Sequence, residues 1–266
     1  MSVTFNAKAK RGQRYSIEQP DGSVIFLPSV TEILGIIGKG DALVQWAANQ
    51  ERDAVVEAAI GLYDDIKSLP RPIDSGTFTA SLMGRIGKVR AWRRELEKAQ
   101  EIGSKAHALI EWYTRKMLGQ APGPEPVVPE KSLWAYMAWD DWRKSVDFQP
   151  VLMEQQVWSE EYEYAGTLDC VAMVRGLRTL VDYKTSKALY PETNFLQVAA
   201  YNHALGEMGH GECEAAIILR LPKKESDPEF EARTVDVPQD VLFSKFLEAL
   251  RLYRWKDECQ NVKERT

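Results

Sequence analysis

Cysteine is scarce. The chain has three in 266 residues, at Cys170, Cys213 and Cys259, with no C-x-x-C pair. Three thiols cannot build a four-thiolate zinc or iron–sulfur site, and an odd, widely spaced set does not make a disulfide framework. Free thiols in a reducing compartment are therefore expected. Long apolar runs are also missing: no stretch approaches the roughly 18 apolar residues of a membrane-spanning helix, and no apolar leader opens the chain. Positive charge is not in excess either. Lys and Arg number 34 against 39 Asp and Glu, a formal net charge of -5, so affinity for nucleic acid requires a local cluster of basic residues.

The pattern along the chain changes near its middle. Tyr15-Ser16-Ile17 and Val24-Ile25-Phe26-Leu27 flank a Pro20-Asp21-Gly22-Ser23 turn and read as a hairpin. Ser29-Val30-Thr31-Glu32 has the spacing of a helix capping box, and helical periodicity follows through Leu43, Trp46, Val55 and Leu62. After a loop at 68–76, more helix is expected to about Leu118. Residues 119–130 hold four prolines and read as an extended connector, ahead of a helix carrying Trp134, Trp139 and Trp142. Strands are expected at 151–158, 164–174 and 177–184, then a helix at 192–208. A strand at 213–221, a short strand near 232–237 and a final helix complete the order. That order predicts an α/β fold: a mixed central sheet flanked by helices, with a helical N-terminal elaboration, divided at residues 1–94 and 95–266.

One stretch concentrates chemistry. "TLVDYKTSK" (179–187) ends an apolar strand on Asp182 and Lys184, which share a face because side chains alternate. If Arg175-Gly176 turns the hairpin, Asp169 of the preceding strand falls directly opposite Asp182. Like charges facing one another destabilise a sheet unless a cation lies between them, and hard divalent ions take carboxylate oxygens. A turn shifted by one residue would instead point one aspartate at solvent. Glu154 lies in the strand before the hairpin. Upstream, Gly103, His107 and Glu111 are spaced four apart along one helical stripe, where a histidine is either a ligand or a satisfied core residue. Gln197 and Tyr201 lie one helical turn apart.

Taken together, Gly103-x-x-x-His107, Glu154, Gly166-Thr167-Leu168-Asp169, Asp182-Tyr183-Lys184 and Gln197-x-x-x-Tyr201 resemble the PD-(D/E)XK nuclease superfamily. The likeness is to its RecB-type exonuclease branch, in the group of the mitochondrial genome maintenance exonuclease and related phage and bacterial exonucleases. It extends from "PSVTEIL" at residue 28 to about 221. The resemblance implies a restriction-endonuclease-like core and hydrolysis of DNA from a free, single-stranded end, in recombination, repair or processing. It implies Mg²⁺ or Mn²⁺ held by Asp169, Asp182 and the Tyr183 carbonyl, with His107 and Glu154 completing or tuning the site. Lys184 would orient the attacking water or neutralise the phosphate. Gln197 and Tyr201 would hold the phosphate backbone or support the site, and Lys187 is a further candidate phosphate contact. The four-cysteine iron–sulfur staple of several relatives is ruled out by the cysteine count. A cytoplasmic, bacterial or phage-encoded protein with DNA and a recombination protein as partners is the corresponding expectation.

Residues 85–98, "RIGKVRAWRRELEK", supply the local positive charge: Arg85, Lys88, Arg90, Arg93, Arg94 and Lys98, with Trp92 among them. Such a run is either a solvated helix face or a track for a phosphate backbone with an aromatic for unpaired bases. The helical N-terminal half would then arch over a strand and admit only a free end. Two other functions remain open on the same fold: a sequence- or structure-specific endonuclease, and a DNA-binding module without catalysis.

Overall fold

The first elements follow from local chemistry. Strands β1 (Val3–Phe5), β2 (Tyr15–Glu18) and β3 (Val24–Leu27) form an antiparallel sheet in that order. The β2–β3 turn is held by the Asp21 carboxylate, which accepts from the Ser23 N–H at 2.9 Å, while Gly22 takes a φ of 82°. Helix α1 (Val30–Leu34) opens with the expected capping box: Ser29 Oγ accepts from the Glu32 N–H at 3.1 Å, and the Glu32 carboxylate accepts from the Ser29 N–H at 3.0 Å. The protein is seen here as a computed structural model that describes residues 3–6, 9, 12–19, 21–38, 40–87, 90–223 and 230–263, with the backbone alone at 40–42 and 260–263. Pro20 of the expected turn and Lys88 of the basic run lie outside the described residues.

Helices α2 (Gly40–Ile66), α3 (Ser75–Ile86), α4 (Ala91–Met117) and α5 (Glu130–Ser145) come next. Asp74 caps α3 by accepting from the Thr77 N–H at 2.9 Å, so the expected loop closes one residue before Ser75. Residues 119–129 contain no helix or strand, as four prolines dictate. The second half is β4 (Phe148–Ser159), β5 (Tyr164–Val174), β6 (Leu177–Lys184), α6 (Pro191–Glu207), β7 (Ala215–Arg220), β8 (Glu231–Thr234) and α7 (Gln239–Lys263).

These five strands form one sheet in chain order. All neighbours pair antiparallel except β6 and β7, which run parallel because α6 carries the chain back across the sheet. Both faces are covered. On one, Leu168, Leu180 and Ile218 pack with Val30 and Ile33 of α1, Val198 of α6 and Phe246 of α7. On the other, Cys170, Val181, Tyr183 and Leu219 pack with Ala106 and Ile110 of α4 and the α5 residues Trp139 and Trp142. Burial on both sides explains why β7 reads as an almost unbroken apolar run. The chain is an α/β protein with a mixed sheet between helices.

Contacts divide it into two units, residues 39–101 and the remainder, with the division inside α4. The N-terminal sheet belongs to the larger unit, unlike the division at residue 94 expected from sequence. The reason is local. The Ala165 N–H donates to the Pro28 carbonyl at 3.0 Å, Ser29 forms a parallel bridge with Ala165, and Tyr15, Ile17 and Leu27 bury against Ala165. Among the described residues no helix is long and apolar enough to cross a membrane.

Candidate functional site

The site starts at a hairpin. Arg175 and Gly176 take φ values of 52° and 82°, the two consecutive positive angles of a two-residue turn whose twist matches the strands. Pairing then runs Val174↔Leu177 to Cys170↔Val181. This is the register that sets Asp169 beside Asp182, one step past the last pair. The strands part at that step, and Asp169 Oδ2 accepts from the Tyr183 N–H at 2.6 Å. On the other side of β5, pairing passes from Gln155↔Leu168 to Met153↔Cys170, skipping Glu154 and Asp169. Glu154 stands in mid-strand with a φ of 50°, a left-handed conformation that costs a non-glycine residue of order 1 kcal/mol or more. Two acids therefore face each other across an interruption in the ladder.

His107 reaches them from α4. Its Nδ1 lies 3.8 Å from Asp169 Oδ1, and its ring stands edge-on to Tyr183 with centroids 5.8 Å apart. The close approach of α4 to the end of β6 depends on Gly103, where a Cβ would come 2.6 Å from Thr185 Oγ1. One ligand atom each from His107, Glu154 and Asp169 lies within 4.8 Å of the other two. Asp182 is not part of that group. Its carboxylate is buried and ion-paired with Lys184, whose Nζ is 2.5 Å from Oδ2. Of the residues expected around the ion, His107, Glu154 and Asp169 therefore converge, while Asp182 lies outside that group beside Lys184. The Tyr183 side chain lies in the core beneath, and its backbone holds Asp169.

The electrostatics follow first from burial, to which neighbouring charges add or subtract. Burial pushes the Glu154 carboxyl up to about 8, helped by the charges of Asp169 and Glu111 and opposed by Arg115. Burial raises Asp182 to about 6 against the pull of Lys184, with Asp169 adding to the rise. Asp169 is raised by burial too, while Lys184 and the Tyr183 N–H hold it down. Burial lowers His107 to about 4 with the help of Lys184, so its imidazole is neutral at neutral pH and has a lone pair to offer.

Gln197 and Tyr201 close the other flank. Gln197 Nε2 donates to Tyr201 Oη at 3.1 Å, and the Tyr201 ring lies over Gly166, where a Cβ would come 2.3 Å from Cε1. Both face the sheet rather than solvent, and Tyr201 is buried. Lys187 is exposed in the loop after β6. Arg90, Arg93 and Arg94 are exposed in the smaller unit, with the Arg93 guanidinium 5.6 Å from the ring centre of half-buried Trp92. Two basic neighbours already have acidic partners: Arg85 pairs with Asp65, and Lys98 with Glu95 at 2.8 Å.

Sequence reasoning missed two contributors. Glu111 was visible only as part of the stripe, yet it pairs with Arg115 at 2.7 Å and both charges act on Glu154. The (i, i+4) spacing was the available signal. Tyr15, on β2, donates to or accepts from Thr167 Oγ1 at 3.0 Å. Nothing in its local sequence marks it. A second group, Glu161, His203 and Glu207, also has ligand atoms within 4.8 Å of one another, but both its acids are in ordinary surface turns and helix. No protein-family model matches the chain, and no curated protein matches it.

Proposed function

We propose that this chain is a metal-dependent nuclease of PD-(D/E)XK type, cutting phosphodiester bonds of DNA from a free single-stranded end. The observation that carries the reading is the convergence of His107, Glu154 and Asp169 beside the Asp182–Lys184 pair, from α4, β4, β5 and β6. Burial is the first cause of the upward shifts of Glu154, Asp169 and Asp182, and the charge of Asp169 repels those of Glu154 and Asp182. A divalent cation relieves that repulsion. The donor set, carboxylate oxygens with one neutral imidazole, suits Mg²⁺ or Mn²⁺, and the nitrogen favours the softer Mn²⁺.

Glu154, Asp169 and His107 would hold the ion, with the Lys184-paired carboxylate of Asp182 at the margin. Once bound, such an ion polarises the phosphate and lowers the pKa of a coordinated water. The chain's own groups do the rest. Asp182 fixes Lys184, which offers a permanent positive charge where the pentavalent phosphate develops negative charge. Gln197 and Tyr201 support the floor formed by Gly166. A sheet covered on both faces, with the acids at a break in its ladder, suits a restriction-endonuclease-like core. The exposed arginines around Trp92 supply a phosphate-binding face that the acidic remainder lacks.

End-labelled single-stranded DNA with Mg²⁺ or Mn²⁺ provides the test. Wild-type protein degrades it, while chelator or Lys184→Ala stops the reaction, and a covalently closed single-stranded circle survives. Cutting of the circle would make the protein an endonuclease. A folded wild-type protein with no divalent-dependent cleavage of any DNA would sink the nuclease reading.

A further inference from the structure

We propose that Tyr15 of the N-terminal sheet is a positioning residue of the candidate centre, acting through Thr167; the inference rests on the nuclease reading. Such help matters because the ladder between β4 and β5 passes over both acids, and the Tyr183 N–H holds only the Asp169 carboxylate. Pairing between β4 and β5 skips Glu154 and Asp169, and Glu154 has a left-handed backbone, so their placement depends on what fixes the flanking residues. Two side chains do this from the N-terminal side of Asp169. The Tyr201 ring lies against Gly166, and the Tyr15 hydroxyl lies 3.0 Å from Thr167 Oγ1.

Thr167 and Asp169 are two apart on β5 and both half-buried, while Leu168 between them is in the core. Anchoring the Thr167 hydroxyl therefore fixes the segment from which the Asp169 carboxylate projects. Tyr15 is well placed to act as an anchor. Its ring is buried with Ile17, Leu27 and Ala165 and packs on Phe5 at 5.0 Å between centroids, so its hydroxyl cannot swing away. It also lies within electrostatic reach of the centre: Glu154 adds to the rise in the Tyr15 pKa caused by burial, and Tyr15 and Asp182 both act on Tyr201. The partners are 152 residues apart, so folding the small sheet onto β5 completes the site.

The experiment compares Mn²⁺ affinity by calorimetry with kcat and KM on single-stranded DNA. Tyr15→Phe removes one oxygen and keeps the buried ring. It is expected to weaken Mn²⁺ binding and lower kcat, each by about three- to tenfold, with KM for DNA little changed. Thr167→Val reproduces the loss, Thr167→Ser does not, and the double variant Tyr15→Phe with Thr167→Val is no worse than either single. Ile17→Val, which trims the same buried cluster, leaves Mn²⁺ affinity unchanged. Wild-type values in Tyr15→Phe, additive losses in the double variant, or an equal loss in Ile17→Val each overturn the role of Tyr15 and leave the nuclease reading standing. A wild-type protein that neither binds Mn²⁺ nor cleaves DNA overturns both.

Discussion

Glu154 is the residue whose surroundings differ most from its sequence appearance, a charged position in a half-buried strand. Its carboxyl is pushed from an ordinary 4.5 to about 8 by burial and by neighbouring negative charge. Between those values the unfolded chain has released the proton and the folded chain still holds it. Metal-free protein is therefore expected to lose stability as pH rises from about 4.5 to about 8. Glu154→Gln removes that slope, and thermal unfolding in chelator at pH 5 and pH 8 measures it; identical slopes in variant and wild type would contradict the burial of this acid. His107 has the opposite sign. Its pKa, depressed from 6.5 to about 4, gives stability that is present above pH 6.5 and is lost as pH falls toward 4. At Asp182 the expectation concerns chemistry. Asp182→Asn keeps the shape but removes the charge that holds Lys184, so kcat should drop by about a hundredfold or more while DNA binding persists. Turnover within about tenfold of wild type would separate the Asp182–Lys184 pair from catalysis.

At the scale of elements, the β5–β6 hairpin was legible because its turn is written locally: Arg175-Gly176 can take two positive φ angles, and the register follows. The capping box of α1 and the proline-rich connector were legible for the same reason. Strand β1 was not. Its three residues carry no periodicity, and it exists only through pairing with β2. The basic start of α4 is ambiguous in sequence and stays so in exposure alone, since a solvated face and a phosphate track look alike. Replacing Arg90, Arg93 and Arg94 together with Ala distinguishes them. If each meets one phosphate, the log–log salt dependence of single-stranded DNA binding should flatten by about 2, at roughly 0.7 per phosphate. An unchanged slope would return the run to a solvated face.

For the whole molecule, the larger unit is built around a sheet whose centre holds repelling acids, so the folded state should gain from a cation that the unfolded chain does not bind. Saturating Mn²⁺ at about a hundredfold above its dissociation constant contributes about 2.7 kcal/mol, a rise in Tm of about 5 °C or more. Asp169→Asn should abolish that rise, as measured by thermal denaturation with and without Mn²⁺. An equal rise in the variant would place the ion elsewhere, with Glu161, His203 and Glu207 the next group to examine.

The sequence by itself determined the order of the helices and strands after β1, the α/β class and the hairpin that brings Asp169 beside Asp182. Each depends on residues close together in the chain: apolar period, turn angles and caps. Only the tertiary structure decided which acids share a space with His107. The strands part at Asp169, Glu154 turns left-handed and meets Asp169 and His107, and Gly103 lets α4 approach Thr185. The tertiary structure alone also brought Tyr15 to Thr167 across 152 residues. Side-chain convergence of this kind comes from packing one layer on another, and packing is set by shape and burial summed over the whole core. No short stretch of sequence encodes that sum.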